Sequence, residues 1–262
     1  MQGLDLSLPE TLLPGQEPAW RPEIGMSWLR KDLHHSGGQG VKDWDGSPLA
    51  RGEVLQARVN GQLGSATFLA DGKRAILIGL TFQYSGVPEL GAENYAWCGN
   101  VVPWEDPRLA HSLARAAAAL TATFGLVGIN GLDFIQAEER LYLIEVNPRW
   151  PGSADLLEQA SGLNLFQLHL EACAGSLPPP TPPASSPLTF GKGILYAHGD
   201  AAMPDTHSWR ADGLRDIPRP GEFIPRGAPV CSILASAADA PSCWQEILRR
   251  AGELRREIWP AP

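Results

Sequence analysis

No stretch of this 262-residue chain approaches the roughly 18 uninterrupted apolar residues that mark a membrane-spanning helix. Met1-Gln2-Gly3-Leu4-Asp5 opens no secretory signal. Cysteine is scarce. Cys98, Cys173, Cys231 and Cys243 show neither CxxC nor zinc-finger spacing, so reduced structural thiols are expected rather than a disulfide scaffold or a zinc module. Lysine is equally sparse, four residues against seventeen arginines, and none precedes Lys31. The P-loop pattern GxxxxGKS/T, the Rossmann GxGxxG, HExxH and GxSxG are all missing, which removes the corresponding nucleotide, zinc-protease and hydrolase readings. The 24 prolines and 28 glycines follow no period, which excludes collagen-like and solenoid architectures. A net charge of −8 argues against a nucleic-acid backbone as partner. What remains is a soluble, cytoplasmic protein with no nucleic-acid or membrane partner, and with 44% hydrophobic residues for the core of one large or two small domains.

The apolar patterning sets out an α+β chain. Residues 1–25 are rich in Pro, Glu and Leu without periodicity and read as a linker. Met26–Lys31 is a short strand-like run leading into Ser36-Gly37-Gly38-Gln39-Gly40. Strands are expected at Val54–Val59 and on both sides of Asp71-Gly72, a strong hairpin signal. Asp106-Pro107 supplies an N-cap and first-turn proline to a helix with Leu109, Leu113, Ala117, Leu120 and Phe124 on one face, stopped at Gly125. A second hairpin, Leu132–Ala137 and Leu141–Val146, precedes two short helices capped by Ser153 and Asn164. Ser176–Pro187 is a stiff proline-rich connector and the best boundary in the chain. Beyond it lie strands at Gly193–His198 and Pro229–Leu234, then a helix from Pro241 whose Arg249, Arg250, Arg255 and Arg256 form a solvated face.

The second hairpin carries the chemistry. A turn centred on Glu139 puts Asp133 directly opposite Glu145, with Asn147 on the same face by the two-residue period. Facing carboxylates repel unless an arginine, a shared proton or a divalent cation lies between them. Two acids and an amide oxygen suit magnesium, which completes its shell with water and phosphate oxygens. Arg149, two residues further on, could clamp the same phosphates. The alternative is that both acids point into solvent. Against it, Ile135, Leu141 and Leu143 would be exposed with them on that face.

Lys31 and the loop of Gly37, Gly38 and Gly40 form a second candidate. Glycines let backbone N–H groups close on phosphate oxygens while a lysine neutralises them, although glycine pairs also serve as plain turns. His34 and His35 are adjacent and would diverge on an extended segment. His111 and His169 lie in helical segments and read as structural.

Taken together, Lys31 with Ser36–Gly40, the Gln56–Gly61 stretch, Gly131-Leu132-Asp133-Phe134 and Ile144-Glu145-Val146-Asn147-Pro148-Arg149 resemble the ATP-grasp superfamily in order and separation. The resemblance covers residues 8 to about 178. It is nearest to the ATP-grasp ligases of methylotroph one-carbon gene clusters. It implies two α+β subdomains with antiparallel sheets gripping the nucleotide, a small one over 26–95 with the glycine loop and a large one over 96–178 with the metal hairpin. Residues 188–262 would be a β-rich and helical C-terminal extension, for which a partner-binding role is an alternative to packing. The cofactors implied are ATP and Mg2+, with Mn2+ as substitute. Lys31 and the three glycines would hold phosphates, Gln56 and Val59 the base, and Asp133, Glu145 and Asn147 the metal, while Arg149 steadies the transferred phosphoryl group. Gln56 stands where the family often has a glutamate. The activity implied is ligation of a small-molecule carboxylate to an amine through an acyl phosphate, in tetrahydromethanopterin- or methanofuran-type cofactor synthesis. Trp150-Pro151-Gly152-Ser153 would touch the substrate, with core packing the alternative for Trp150. The family also carries an amino-terminal α/β domain and a further lysine before the position of Lys31. Their absence points to a truncated chain, a separate subunit or homo-oligomer supplying the domain, or a non-catalytic nucleotide-binding scaffold.

Overall fold

A computed structural model describes residues 6–16, 28–138, 140–179 and 186–260. The strands are β1 Thr11–Leu12, β2 Trp28–Asp32, β3 Val41–Asp43, β4 Glu53–Ala57, β5 Gln62–Asp71, β6 Ala75–Ser85 and β7 Trp97–Val102. After helix α1 (Pro107–Phe124) come β8 Val127–Ala137 and β9 Arg140–Asn147, then helices α2 Ala154–Ser161 and α3 Leu165–Cys173. The remainder is β10 Thr189–Tyr196, β11 Ala201–Ala202, β12 Leu214–Arg215, β13 Phe223–Ile224, β14 Pro229–Ala237 and α4 Ala240–Ile258. Met26, Glu139 and residues 180–185 of the Ser176–Pro187 connector lie outside the described residues.

These elements form a small sheet in the order β1-β4-β2-β3, a large antiparallel sheet β12-β14-β10-β7-β6-β5-β8-β9, and a separate β11-β13 pair. The expected boundaries shift accordingly. The small sheet ends at Ala57, and the Asp71-Gly72 hairpin of β5 and β6 belongs to the large sheet rather than to a small subdomain running to residue 95. The segment after the proline-rich connector is an integral part of that sheet, since β10 pairs with β7. Residues 6–16 do more than link. Ser7 bridges to Tyr142 on β9, and Thr11 and Leu12 pair with Gln56 and Leu55 on β4.

Helix α1 forms where its sequence signals place it. The Asp106 carboxylate accepts from the Arg108 and Leu109 amides, and Gly125 takes the left-handed conformation at the far end. Its buried stripe of Leu109, Leu113, Ala117 and Leu120 packs with Phe68, Leu80, Leu132, Phe134, Leu141 and Leu143 on one face of the large sheet. Phe124 does not share it. At the last turn the stripe has rotated off the sheet, leaving Phe124 70% exposed. On the opposite face α2 and α3 cover Leu69, Ile78, Val102 and Ile129. Helix α4 covers the β10–β14 end through Ile247, Ala251 and Leu254. Its arginines are less solvated than their spacing suggests. Arg250 donates to the Leu234 and Asp212 carbonyls, and Arg255 to those of Pro88 and Glu89.

Candidate nucleotide and metal site

The second hairpin has Asp133 paired with Glu145 and Gly131 with Asn147. The route to that register differs from simple counting. Next to the turn Ala137 pairs with Arg140 and Phe134 with Leu143, and a bulge at Ile144 adds one residue to β9 before Glu145 meets Asp133. A bulge reverses the alternation of faces. Leu141 and Leu143 therefore point to the α1 core with Phe134, while Glu145 and Asn147 point to the opposite face with Asp133. The expectation that Leu141 and Leu143 share the acidic face is incorrect.

Lys31 reaches this pair from the small sheet. Its cross-strand partners Val41 and Val54 define the inner face of that sheet, and the charges acting on its ammonium are Glu145 and Asp133. Burial holds its pKa below the ordinary lysine value despite both acids. Asp133 is pushed up to about 7, first by loss of water and then by the Glu145 charge, against the pull of the Asn147 amide, Arg149 and Lys31. The Asn147 Nδ2 donates to Asp133 Oδ2 at 2.9 Å, which leaves its carbonyl oxygen available. Five of the residues singled out in the sequence thus converge: Lys31, Asp133, Glu145, Asn147 and Arg149. Their donor set fits a hard divalent cation, because all donors are oxygen and Lys31 and Arg149 together do not offset the burial and the facing Glu145 charge that keep Asp133 raised. Among the described residues no three or more His, Cys, Asp or Glu are grouped so as to hold a metal.

The glycine loop closes the β2–β3 hairpin, with the Val41 amide donating to the Gly38 carbonyl. Gly37 and Gly38 have positive φ of 63° and 76°, a conformation that glycine adopts without strain. The loop is docked onto the other lobe. The Trp97 amide donates to the Gly37 carbonyl at 2.8 Å, and a Cβ on Gly38 would lie 1.9 Å from the Tyr95 carbonyl oxygen. Gly40 is less crowded, with His35 and Asp32 atoms 2.8–3.1 Å from where a Cβ would stand. The Tyr95 hydroxyl donates to Asp43 of β3 at 2.8 Å. The Gln56 side chain lies on the same inner face as Lys31, but its Nε2 donates to Thr11 Oγ1 at 3.1 Å. Val59 lies beyond the end of β4, half-buried in the segment joining the two sheets.

Several contributors were not singled out beforehand. Ser65 pairs with both Asp133 and Thr81. Its hydroxyl meets Thr81 Oγ1 at 3.0 Å, and Asn100 Nδ2 donates to the same Thr81 oxygen at 3.0 Å. Lys192 is the cross-strand partner of Asn100. A polar tier therefore crosses β9, β8, β5, β6, β7 and β10. The only signals for it in the sequence are the single Asn100 within an apolar strand and the rarity of lysine. The loop after Arg149 lies along this tier. Pro151 approaches Gly131, and Gly152 lies against the Trp97 ring. Ser153 fails as a cap because its backbone is already helical. Its hydroxyl is buried, with no partner among the described residues.

The ATP-grasp domain family matches residues 9–153, more than half of the chain. The chain belongs to the ATP-grasp family. Among curated proteins, it is 32% identical over 116 residues to formate-dependent phosphoribosylglycinamide formyltransferase of Anaeromyxobacter dehalogenans, covering 44% of this chain and 28% of that protein. An uncharacterised Methanocaldococcus jannaschii protein is 22% identical over 139 residues, covering 53% of this chain and 33% of that protein. The ATP-grasp chain thus spans a third or less of these two relatives. In fold it is similar to L-amino acid ligase from Bacillus licheniformis, with TM-score 0.67 and 16% identity over 97% of this chain and 68% of that one. It is likewise similar to carboxyaminoimidazole ribonucleotide synthase from Aspergillus clavatus complexed with ATP, with TM-score 0.65 and 15% identity over 87% of this chain and 63% of that one. Among the described residues no helix is long and apolar enough to cross a membrane.

Proposed function

We propose that this ATP-grasp chain carries the nucleotide and metal site of an ATP- and Mg2+-dependent ligase that joins a small-molecule carboxylate to an amine. The observation that supports this most is the pairing of Asp133 with Glu145 under Lys31. In this reading Asp133, Glu145 and the Asn147 carbonyl hold the cation, which when bound neutralises phosphate charge. Lys31 adds a point charge from the small sheet, and the Gly37–Gly40 loop covers the phosphates with backbone. Arg149, exposed beside the acids, supplies a planar fork for the transferred group. The substrate carboxylate attacks the γ-phosphorus as the bond to ADP breaks, giving an acyl phosphate. The amine then displaces inorganic phosphate and loses its proton. The loop Trp150–Ser153, adjoining Arg149, is the candidate substrate contact, and the unpartnered Ser153 hydroxyl is a polar group within it. The tetrahydromethanopterin- and methanofuran-type precursors implied by the family resemblance supply one substrate panel, and amino acids a second.

The test is calorimetry with ATP and ADP, with and without Mg2+, followed by measurement of ADP and phosphate release on the panel. Magnesium-dependent nucleotide binding that Glu145→Ala abolishes is the expected result. Absence of binding, or an unchanged Glu145→Ala protein, overturns it.

A second reading is that the chain binds nucleotide but turns over only with a separate α/β subunit or another copy. Turnover by the purified monomeric chain alone eliminates that reading.

A further inference from the structure

We propose that Asn100 and Lys192 are positioning residues for the loop that follows Arg149, holding it at its two ends. The proposal rests on the ligase reading for its functional consequence but on independent geometry for its structural one. The two side chains are cross-strand partners on β7 and β10, and each holds a different element. The Asn100 amide has a fixed orientation: Nδ2 faces Thr81 Oγ1 at 3.0 Å and the Phe82 carbonyl at 3.3 Å, while Oδ1 faces Trp97 Nε1 at 3.1 Å. A carbonyl can only accept and an indole N–H can only donate, so both contacts require the same orientation. The indole so fixed is the surface against which Gly152 packs, with ring carbons 3.1–3.9 Å from where a Cβ would stand. Any side chain at 152 would meet that ring.

Lys192 holds the other end. Its Nζ donates to both carboxylate oxygens of Asp155 at 2.9 and 3.0 Å. The lysine side chain is only 13% exposed, whereas that of Asp155 is 49% exposed. Asp155 lies in the first turn of α2, two residues after the buried Ser153. The apolar anchoring of α2 is separate, through Leu156 and Leu157 in the core. That core fixes where the helix lies; the two polar contacts fix how the preceding loop leaves Arg149. Trp97 also donates its backbone amide to Gly37, so one residue braces the loop on each side of the site. This gives the strand after the proline-rich connector a role at the site, through Lys192.

The experiment is hydrogen exchange read by mass spectrometry on the full chain for Lys192→Met, Lys192→Arg, Trp97→Phe and Asp155→Asn, with melting temperatures and Mg·ATP calorimetry on the same samples. Lys192→Met and Trp97→Phe are expected to speed exchange in peptides spanning 149–157 by about tenfold while leaving β5, β8 and α1 unchanged. Lys192→Arg should stay near the parent. Mg·ATP affinity should hold within about twofold in Lys192→Met, since its contact is with α2 rather than with the acids, while phosphate release falls by about tenfold through misplacement of the loop. Unchanged exchange at 149–157, or faster exchange spread evenly along the chain, overturns the proposal. Failure of the parent to bind Mg·ATP overturns the ligase reading instead, and the exchange pattern then decides the positioning role by itself.

Discussion

Asp133 faces Glu145 across β8 and β9 because Ile144 is an extra residue in β9. Were Ile144 taken into a regular ladder instead of bulging out, it would face Asp133, and Glu145 would pair with Leu132 and point at the leucines under α1. The acidic pair is thus set by a local irregularity of the ladder, and its repulsion is built into the fold.

Relieving that repulsion should stabilise the metal-free protein. Glu145→Gln keeps the shape and removes one of two like charges placed directly opposite each other, an arrangement that costs about 0.5 kcal/mol. Thermal or urea unfolding without metal should show a gain of that order, and calorimetry should show loss of Mg2+-dependent nucleotide binding in the same variant.

The raised pKa of Asp133 fixes a pH dependence. The folded chain holds this proton up to about pH 7, whereas the unfolded chain releases it near pH 4. Between these values the native state binds more protons, so this group's contribution to stability falls as pH rises from about 4 to 7. Urea unfolding without metal should show that decline, Asp133→Asn should flatten it, and saturating Mg2+ should restore stability above pH 7. A metal-free profile identical in parent and Asp133→Asn would contradict the assignment.

Leu143 tests the face reversal at the bulge. It is buried in the α1 core, so Leu143→Ala should cost about 2–5 kcal/mol in unfolding experiments. The affinity of the folded variant for Mg·ATP should remain that of the parent. Were Leu143 on the acidic face instead, affinity would change and stability would scarcely move.

The two glycines of the loop should behave differently. Gly37 has nothing within 4 Å of its missing Cβ, whereas Gly38 lies against the Tyr95 carbonyl. Gly37→Ala meets only the left-handed backbone cost of about 1 kcal/mol. Gly38→Ala must also push the loop away from the 95–97 segment, and should weaken Mg·ATP binding by about tenfold or more, equivalent to roughly 1.4 kcal/mol. Equal effects of the two substitutions in calorimetry would show that docking of the loop is unimportant for binding.

Much of the site was legible where one hairpin or one loop holds all the residues concerned. Asp133, Glu145 and Asn147 follow from a two-residue period, and Asp106-Pro107 and Gly125 bound α1 by local chemistry. What escaped was written across distant strands. Ser65, Thr81, Asn100 and Lys192 meet only because the sheet order interleaves segments remote in sequence. The Ile144 bulge was also invisible, since a turn one half-residue away from Glu139 and a bulge cancel in the count. Ser153 has the right identity for a cap but the wrong backbone angles. The pairing of residues 6–16 with two sheets depends on strand edges that no local pattern reveals.

The N-terminal segment at β9 carries a last consequence. β9 is the outermost strand of the large sheet, and Ser7 takes the Leu141 carbonyl and the Leu143 amide that would otherwise stand ready for another chain. Uncovered strand edges are templates for aggregation. Ser7 therefore blunts part of that edge, while Thr11 and Leu12 tie the same segment to the small sheet.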